Sequence, residues 1–185
     1  MTFEQIDRIF KLISKSKPTA RENIRTFYLD RIDESIIDFC VRHFETEKRA
    51  EIRCDYLRFT LEYAKTEKWV TDFAEKALTD RSKMVRKKAL SIFAFSLNSD
   101  FLKLLESQRG KLKGNEEDIE NAIKAIKCKN HNLFYPAYDT WTITRADKNR
   151  HLNKQQFKED IQLYIEKYAK EAVPELKNIL DSLYD

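Results

Sequence analysis

The chain is poor in the residues that build turns between β-strands. Gly occurs twice and Pro three times in 185 residues, whereas an average protein contains about 7% Gly and 5% Pro. The pairs Asn-Gly and Asp-Gly, which mark tight hairpins, are missing from the sequence. This depletion argues against hairpin-rich β-folds and predicts an all-α protein.

Long apolar runs and a framework of paired cysteines are missing as well. No stretch approaches the ~20 apolar residues that span a bilayer, and 36% of the residues are charged, so we expect a soluble protein with no membrane partner. Residues 1–7 lack the basic and apolar segments of a secretory signal. Cys40, Cys54 and Cys128 are odd in number and scattered, which fits a reducing compartment and predicts a cytoplasmic protein.

Apolar residues spaced three and four apart predict a series of helices. The predicted helices cover about Phe3–Ile13, a segment opening near Thr19, Asp33–Phe44, Lys48–Lys65, Trp69–Leu78, Ser82–Leu97, Asp100–Leu112 and Asn115–Ile126. Asn98 and Asn115 precede acidic residues and are typical of helix N-termini. Two further helices, about Asn153–Glu171 and from Pro174 onward, are expected to cap the end of the core. Four helix pairs therefore precede Lys127, and we expect residues 1–185 to form one domain.

A sequence layout recurs every 33 residues. In the segment 80–90, an acidic turn residue, Asp80, is followed by Val85-Arg86 and then by the small residue Ala89. Val85-Arg86 lies 33 residues after Ile52-Arg53, and Ala89 lies 33 residues before Ala122. A fixed period of this size in a helical chain predicts stacked helix pairs.

The arrangement of Asp80, Val85-Arg86 and Ala89 resembles the HEAT repeat of the armadillo-like proteins, over roughly residues 1–126. The resemblance implies a right-handed α-solenoid of about four helix pairs with a C-terminal helical cap. It also implies that Asp80, Arg86 and Arg53 are structural, because acidic residues and arginines form ladders between successive repeats of that family. Lys83, Lys87 and Lys88 are then left on the same helix to meet a partner.

The repeat pattern fails at about residues 127–149, which lack helical periodicity. An irregular segment of this length in a compact domain is more often functional than accidental. Its aromatic rings, including Phe134, are flanked by His131, His151 and cationic residues, and such rings and arginines dominate binding hot spots. We expect the partner-binding residues of this aromatic insertion to be Tyr135, Tyr138, Trp141, Arg145, Lys148 and Arg150. The alternative is that the insertion folds back to cover the end of the core.

Basic residues are concentrated in two stretches. Residues 81–113 contain nine basic and two acidic residues, and residues 121–158 contain eight basic and two acidic ones. Such stretches could follow a phosphate backbone or meet an acidic protein. They could equally be solvated helix faces, with Arg86 engaged in a ladder.

The sequence offers few groups for catalysis or for metal binding. It has three histidines and neither a Gly-rich phosphate loop nor a nucleophile elbow, so we expect no enzymatic activity and no cofactor. Cys128 and His131 have half of a zinc-ligand spacing, but no second Cys/His pair lies near them in sequence, and no metal is expected. Cys40 and Cys54 fall in predicted helices, as buried small residues do.

These features predict a non-enzymatic protein-binding module. A short helical-repeat chain that runs from an initiator Met to an acidic capping helix suggests a dedicated binder, such as an immunity or antitoxin protein that covers the active site of a bacterial toxin domain. The alternative is a nucleic-acid-binding protein related to the alkylpurine DNA glycosylases, which also use HEAT-like repeats. Asp139, Trp141 and Arg145 would then imitate the lesion site of that family.

Overall fold

The computed structural model describes residues 2–15 and 34–134, and this part of the chain is helical. Its seven α-helices are α1 Phe3–Lys15, α2 Glu34–His43, α3 Ala50–Thr60, α4 Lys68–Ala77, α5 Lys83–Ser96, α6 Leu102–Ser107 and α7 Glu116–Lys127. Short 3-10 helices cover Leu61–Lys65, Ser99–Phe101 and His131–Leu133. No strand occurs in these residues, which confirms the all-α prediction for them. None of their helices is long and apolar enough to cross a membrane.

The chain divides into two compact units. Among the described residues, the first unit contains α1 and the part of α2 up to Phe39, and the second begins at Cys40 and includes α3 to α7. In the first unit, Ile6, Ile9 and Phe10 are buried on one face of α1, as their spacing of three and four residues requires. The ring of Phe10 stacks on that of Phe39, with ring centroids 5.8 Å apart.

Helix α5 is the centre of the second unit. It packs against α3, α4 and α7, and α6 packs against α7. From Ala89 to Ala94 every residue of α5 is buried, because neighbours surround that half of the helix. Ala89 and Ala122, one period apart, are fully buried, as expected of small residues where helices pass closely.

The 33-residue period is visible in side-chain contacts as well as in sequence. Arg53 Nη1 donates to the carbonyl oxygen of Glu47 at 2.8 Å. Arg86, one period later, donates through Nη1 to the carbonyl oxygen of Asp80 at 2.9 Å. Both arginines thus reach back six residues to the turn that precedes their own helix. Each one ties a helix of the second unit to its N-terminal turn.

The structure departs from the predicted helices mainly after residue 100. The expected helix Asp100–Leu112 is a 3-10 turn followed by the short helix α6, which ends at Ser107. The two glycines of the chain, Gly110 and Gly114, follow with φ of 73° and 82°, a left-handed backbone that ends helices and that Gly adopts readily. The expected helix Lys48–Lys65 continues as a 3-10 helix after Thr60. The predicted helices near Thr19, at 153–171 and from Pro174 lie outside the described residues.

Candidate functional site

The turn before α5 is held by an ion pair with α3. Arg53 donates to both carboxylate oxygens of Asp80, at 2.7 Å and 2.9 Å, and only 6% and 7% of the two side chains are exposed. Asp80 Oδ1 also accepts from the backbone N–H of Ser82 at 2.7 Å. Burial acts to raise the pKa of Asp80, but the bonds from Arg53 and Ser82 outweigh it and hold this pKa below its ordinary value. Asp80 is therefore an anion that closes the turn and joins it to α3.

Asn115 plays the corresponding part before α7. Its Oδ1 accepts from Arg86 Nε at 3.0 Å, and its Nδ2 donates to the carbonyl oxygen of Lys83 at 3.0 Å and to Asp118 Oδ2 at 2.9 Å. Only 2% of Asn115 is exposed. Asn115 occupies the N-cap position, as predicted, but its side chain does not bond to the backbone of α7. The amide is used instead to join α5 to α7.

A groove lies between the N-terminal turns of α5 and α7. Its volume is about 350 Å³. The residues that line it are Lys83, Met84 and Lys87 from α5, and Gly114, Asn115, Glu116, Glu117 and Asp118 from the start of α7. Two of the three lysines singled out from the sequence therefore share one groove, together with an apolar side chain and three carboxylates.

Met84 is the unexpected member of this groove. It is 54% exposed, compared with 38% for Phe3 and 38% for Val41. The residues 33 positions before and after it are Glu51 and Glu117, and both are exposed. Met84 thus occupies a position at which the 33-residue period has an exposed Glu on α3 and on α7. That break in the pattern is the sequence feature that could have marked this residue as functional.

The three candidate lysines of α5 have different surroundings. Lys87 Nζ forms an ion pair with Asp118 Oδ1 at 2.9 Å. Lys88 is half-buried. Burial raises the pKa of Cys54, and the positive charge of Lys88 acts to lower it. Lys83 is exposed and makes no ion pair with any described residue. Lys83 is therefore the cation of the groove that is available to a ligand.

The basic stretch 81–113 is partly balanced by carboxylates. Arg109 donates to both carboxylate oxygens of Glu120 on α7, at 2.6 Å and 2.7 Å. Arg86 is engaged with Asn115 and with the carbonyl oxygen of Lys113, at 2.8 Å. These contacts favour the interpretation of the stretch as solvated and paired helix faces.

All six residues of the aromatic insertion that are expected to bind a partner lie outside the described residues. They are Tyr135, Tyr138, Trp141, Arg145, Lys148 and Arg150. At the start of the insertion, Phe134 is 3% exposed, so its ring belongs to the core. The ring of His131 meets the ring of Phe95 edge-on at 5.0 Å between centroids, and Lys65 Nζ lies 4.6 Å from the centroid of the Phe95 ring.

The cysteines differ in exposure. Cys40 is buried, Cys54 is half-buried and Cys128 is exposed. Burial raises the pKa of Cys54 to about 11, and burial followed by the charge of Asp55 raises that of Cys40 well above its ordinary value. No group of three or more His, Cys, Asp or Glu side chains in residues 2–15 and 34–134 is placed to hold a metal ion.

Comparison with protein-family models, curated proteins and solved structures finds no match for this chain.

Proposed function

We propose that the chain is a right-handed α-solenoid of HEAT-like helix pairs that binds a protein partner and catalyses no reaction. The order in which α3, α5 and α7 pack supports the solenoid. So do the equivalent contacts of Arg53 and Arg86, one period apart. Stacked repeats of this kind offer extended surfaces for binding large ligands.

The observation that carries the proposal is the exposure of Met84 inside a groove that contains charges of both signs. Met is enriched at protein interfaces, and its flexible side chain adapts to the surface it meets. An apolar centre with a polar rim is the usual anatomy of such an interface. The groove around Met84 has this anatomy on a small scale.

The same groove argues against a phosphate backbone as the ligand. Glu116, Glu117 and Asp118 line the same groove as Lys83, and Lys87 is already paired with Asp118. A polyanion that approached Lys83 would meet these carboxylates at short range. A protein can present both signs of charge and an apolar side chain, so it fits the groove better than a nucleic acid does.

The particular partner that we propose is a bacterial toxin domain whose active site this chain covers, as an immunity or antitoxin protein does. The support for this step is the resemblance of the repeat to HEAT proteins, since helical repeats are among the folds that immunity proteins use. Complementary charges on such a pair would also raise the rate of association.

Photo-crosslinking in the native cell tests the proposal. A photoreactive amino acid replaces Met84 in one variant and Lys76, an exposed residue of α4, in the control. We expect one protein to be trapped at position 84 and to be absent at position 76. Once that protein is identified and purified, it should bind the chain in a fixed ratio and lose any toxic activity in the complex.

Two results would reject protein binding at this groove. The first is the same set of adducts at positions 84 and 76. The second is tight binding of a 20-base-pair DNA duplex that weakens steeply with salt and is lost in Lys83→Glu, which would establish the nucleic-acid alternative.

A further inference from the structure

We propose that the groove between α5 and α7 recognises a segment of the partner in which an apolar residue lies between an acidic and a basic residue. This inference rests on the proposed protein-binding function and specifies the chemistry of the segment. It follows from which groups of the groove are fixed and which remain available.

Several side chains that line the groove are already held by contacts within the chain. Asn115 is bonded to Arg86, to the carbonyl oxygen of Lys83 and to Asp118. Asp118 also holds Lys87 at 2.9 Å. Because these side chains are already ordered, binding does not have to order them, and preorganised surfaces bind more tightly for the same contacts.

Three groups in the groove are available for contact. Lys83 and Glu117 are exposed and make no ion pair with any described residue, and Met84 lies beside Lys83 on α5 and is 54% exposed. A partner can therefore cover the apolar surface of Met84 while it places a carboxylate near Lys83 and a cation near Glu117.

Among the described residues, the groove has more unpaired negative charge than unpaired positive charge. Glu116 Oε1 accepts from the backbone N–H of Gly114 at 3.0 Å, and this bond lowers the pKa of Glu116. Glu116 is therefore an anion at neutral pH. Lys87 and Asp118 neutralise each other, so the remaining charges that line the groove are one ammonium group, Lys83, and two carboxylates, Glu116 and Glu117. The basic residue of the partner segment should therefore be selected more strongly than the acidic one. Arg is the expected basic residue, because its guanidinium group can form paired hydrogen bonds with carboxylates.

Selection from a library of random 12-residue peptides displayed on phage tests this inference without knowledge of the partner. The library is selected in parallel on the wild type and on the charge-swapped variant Lys83→Glu with Glu117→Lys. Peptides selected on the wild type should carry an apolar residue with an acidic residue on one side and a basic residue on the other. Peptides selected on the swapped variant should show the acidic and basic positions exchanged.

Synthetic versions of the selected peptides then give the size of the effect by fluorescence anisotropy at low salt. A wild-type peptide should bind the swapped variant about tenfold more weakly, since two exposed attractive contacts become repulsive. Met84→Asp should weaken the same peptide by about tenfold or more, because it places a charge in the apolar centre. Lys76→Glu, a charge reversal on α4, should leave the affinity unchanged. Circular dichroism of each variant checks that the helices are intact.

The inference falls if no peptide is enriched on the wild type, or if the peptides enriched on the swapped variant have the same charge pattern. It also falls if sedimentation shows a dimer of the chain that Lys83→Glu dissociates, because the occupant would then be a second copy. A protein trapped at position 84, combined with peptides that ignore the charge swap, would reject the inference and leave the proposed function standing. Absence of any adduct at position 84 would count against the proposed function itself.

Discussion

Arg53 and Asp80 are 27 residues apart in sequence and form a doubly hydrogen-bonded ion pair from which water is almost excluded. The pair joins α3 to the turn that begins α5. It is therefore one of the contacts that hold α3 and α5 together.

Removal of Asp80 should destabilise the fold strongly. Asp80→Ala leaves the Arg53 guanidinium buried without its partner, and we expect a loss of about 3 kcal/mol in the free energy of unfolding. Urea denaturation followed by circular dichroism measures this loss. Arg109→Ala is the matched control, since its pair with Glu120 is equally short but about half exposed, and it should leave the denaturation midpoint nearly unchanged. Equal effects of the two substitutions would contradict the role given to burial.

Acid should weaken the fold through the same carboxylate. The pKa of Asp80 is lowered in the folded chain, so its pair contributes stability above the ordinary Asp pKa of about 3.9 and loses it as the pH falls below that value. We expect the stability difference between wild type and Asp80→Asn to be constant from about pH 7 to pH 5 and to shrink below about pH 4. Urea denaturation across this pH range provides the test. A difference that stays constant down to pH 3 would show that the pKa of Asp80 is not lowered.

Asn115 should matter more than an ordinary residue at the start of a helix. Asn115→Ala removes two hydrogen bonds to α5 and one to Asp118 on α7 and leaves buried groups without partners, which should cost about 2 kcal/mol. Asn98→Ala is the comparison, because the exposed Asn98 accepts one bond from the backbone N–H of Asp100 and should cost about 1 kcal/mol or less. Chemical denaturation of both variants measures the two losses of stability. A larger loss in Asn98→Ala would contradict the joining role of Asn115.

Phe134 should behave as a core residue although it begins the aromatic insertion. With 3% of it exposed, Phe134→Ala should cost about 3 kcal/mol. Met84→Ala, at the exposed Met, should change stability by less than about 0.5 kcal/mol. Thermal and urea unfolding of the two variants tests this. A stable Phe134→Ala variant would move the boundary of the core to before residue 134.

The three thiols should react in the order of their exposure. At pH 8 iodoacetamide should label Cys128 first, and Cys54, with a pKa of about 11, should react about 100-fold more slowly than an ordinary thiol. Cys40 should react only after unfolding. Peptide mapping by mass spectrometry at several times gives the three rates. Labelling of Cys40 in the native chain at the rate of Cys128 would contradict its burial.

The local features of the fold could be read from the sequence. The three- and four-residue spacing of apolar side chains predicts α1 to α5 and α7, because helix burial follows that period. The 33-residue period places Ala89 and Ala122 at buried crossings, as the structure does. The length of α6 could not be read in this way, because the apolar pattern of Leu102 and Leu105 extends to Leu112, whereas the helix ends at Ser107.

The groove could not be predicted from local sequence patterns. Asn115 has the sequence context of a helix cap, but contacts with Arg86 and Lys83 on a different helix use its side chain instead. Met84 would pass for one more apolar residue of an amphipathic helix, and its exposure depends on what α7 leaves uncovered. Only the comparison with Glu51 and Glu117, one period to either side, singles it out.

Helix α5 contains residues that tolerate substitution and residues that do not. Substitutions from Ala89 to Ala94 are constrained by the neighbours that bury them on every side. Lys83 and Met84, at the start of the same helix, are exposed and can change with little effect on folding. Descendants of this chain could therefore diverge in what they recognise within a single helical turn, while the rest of the helix keeps the architecture unchanged.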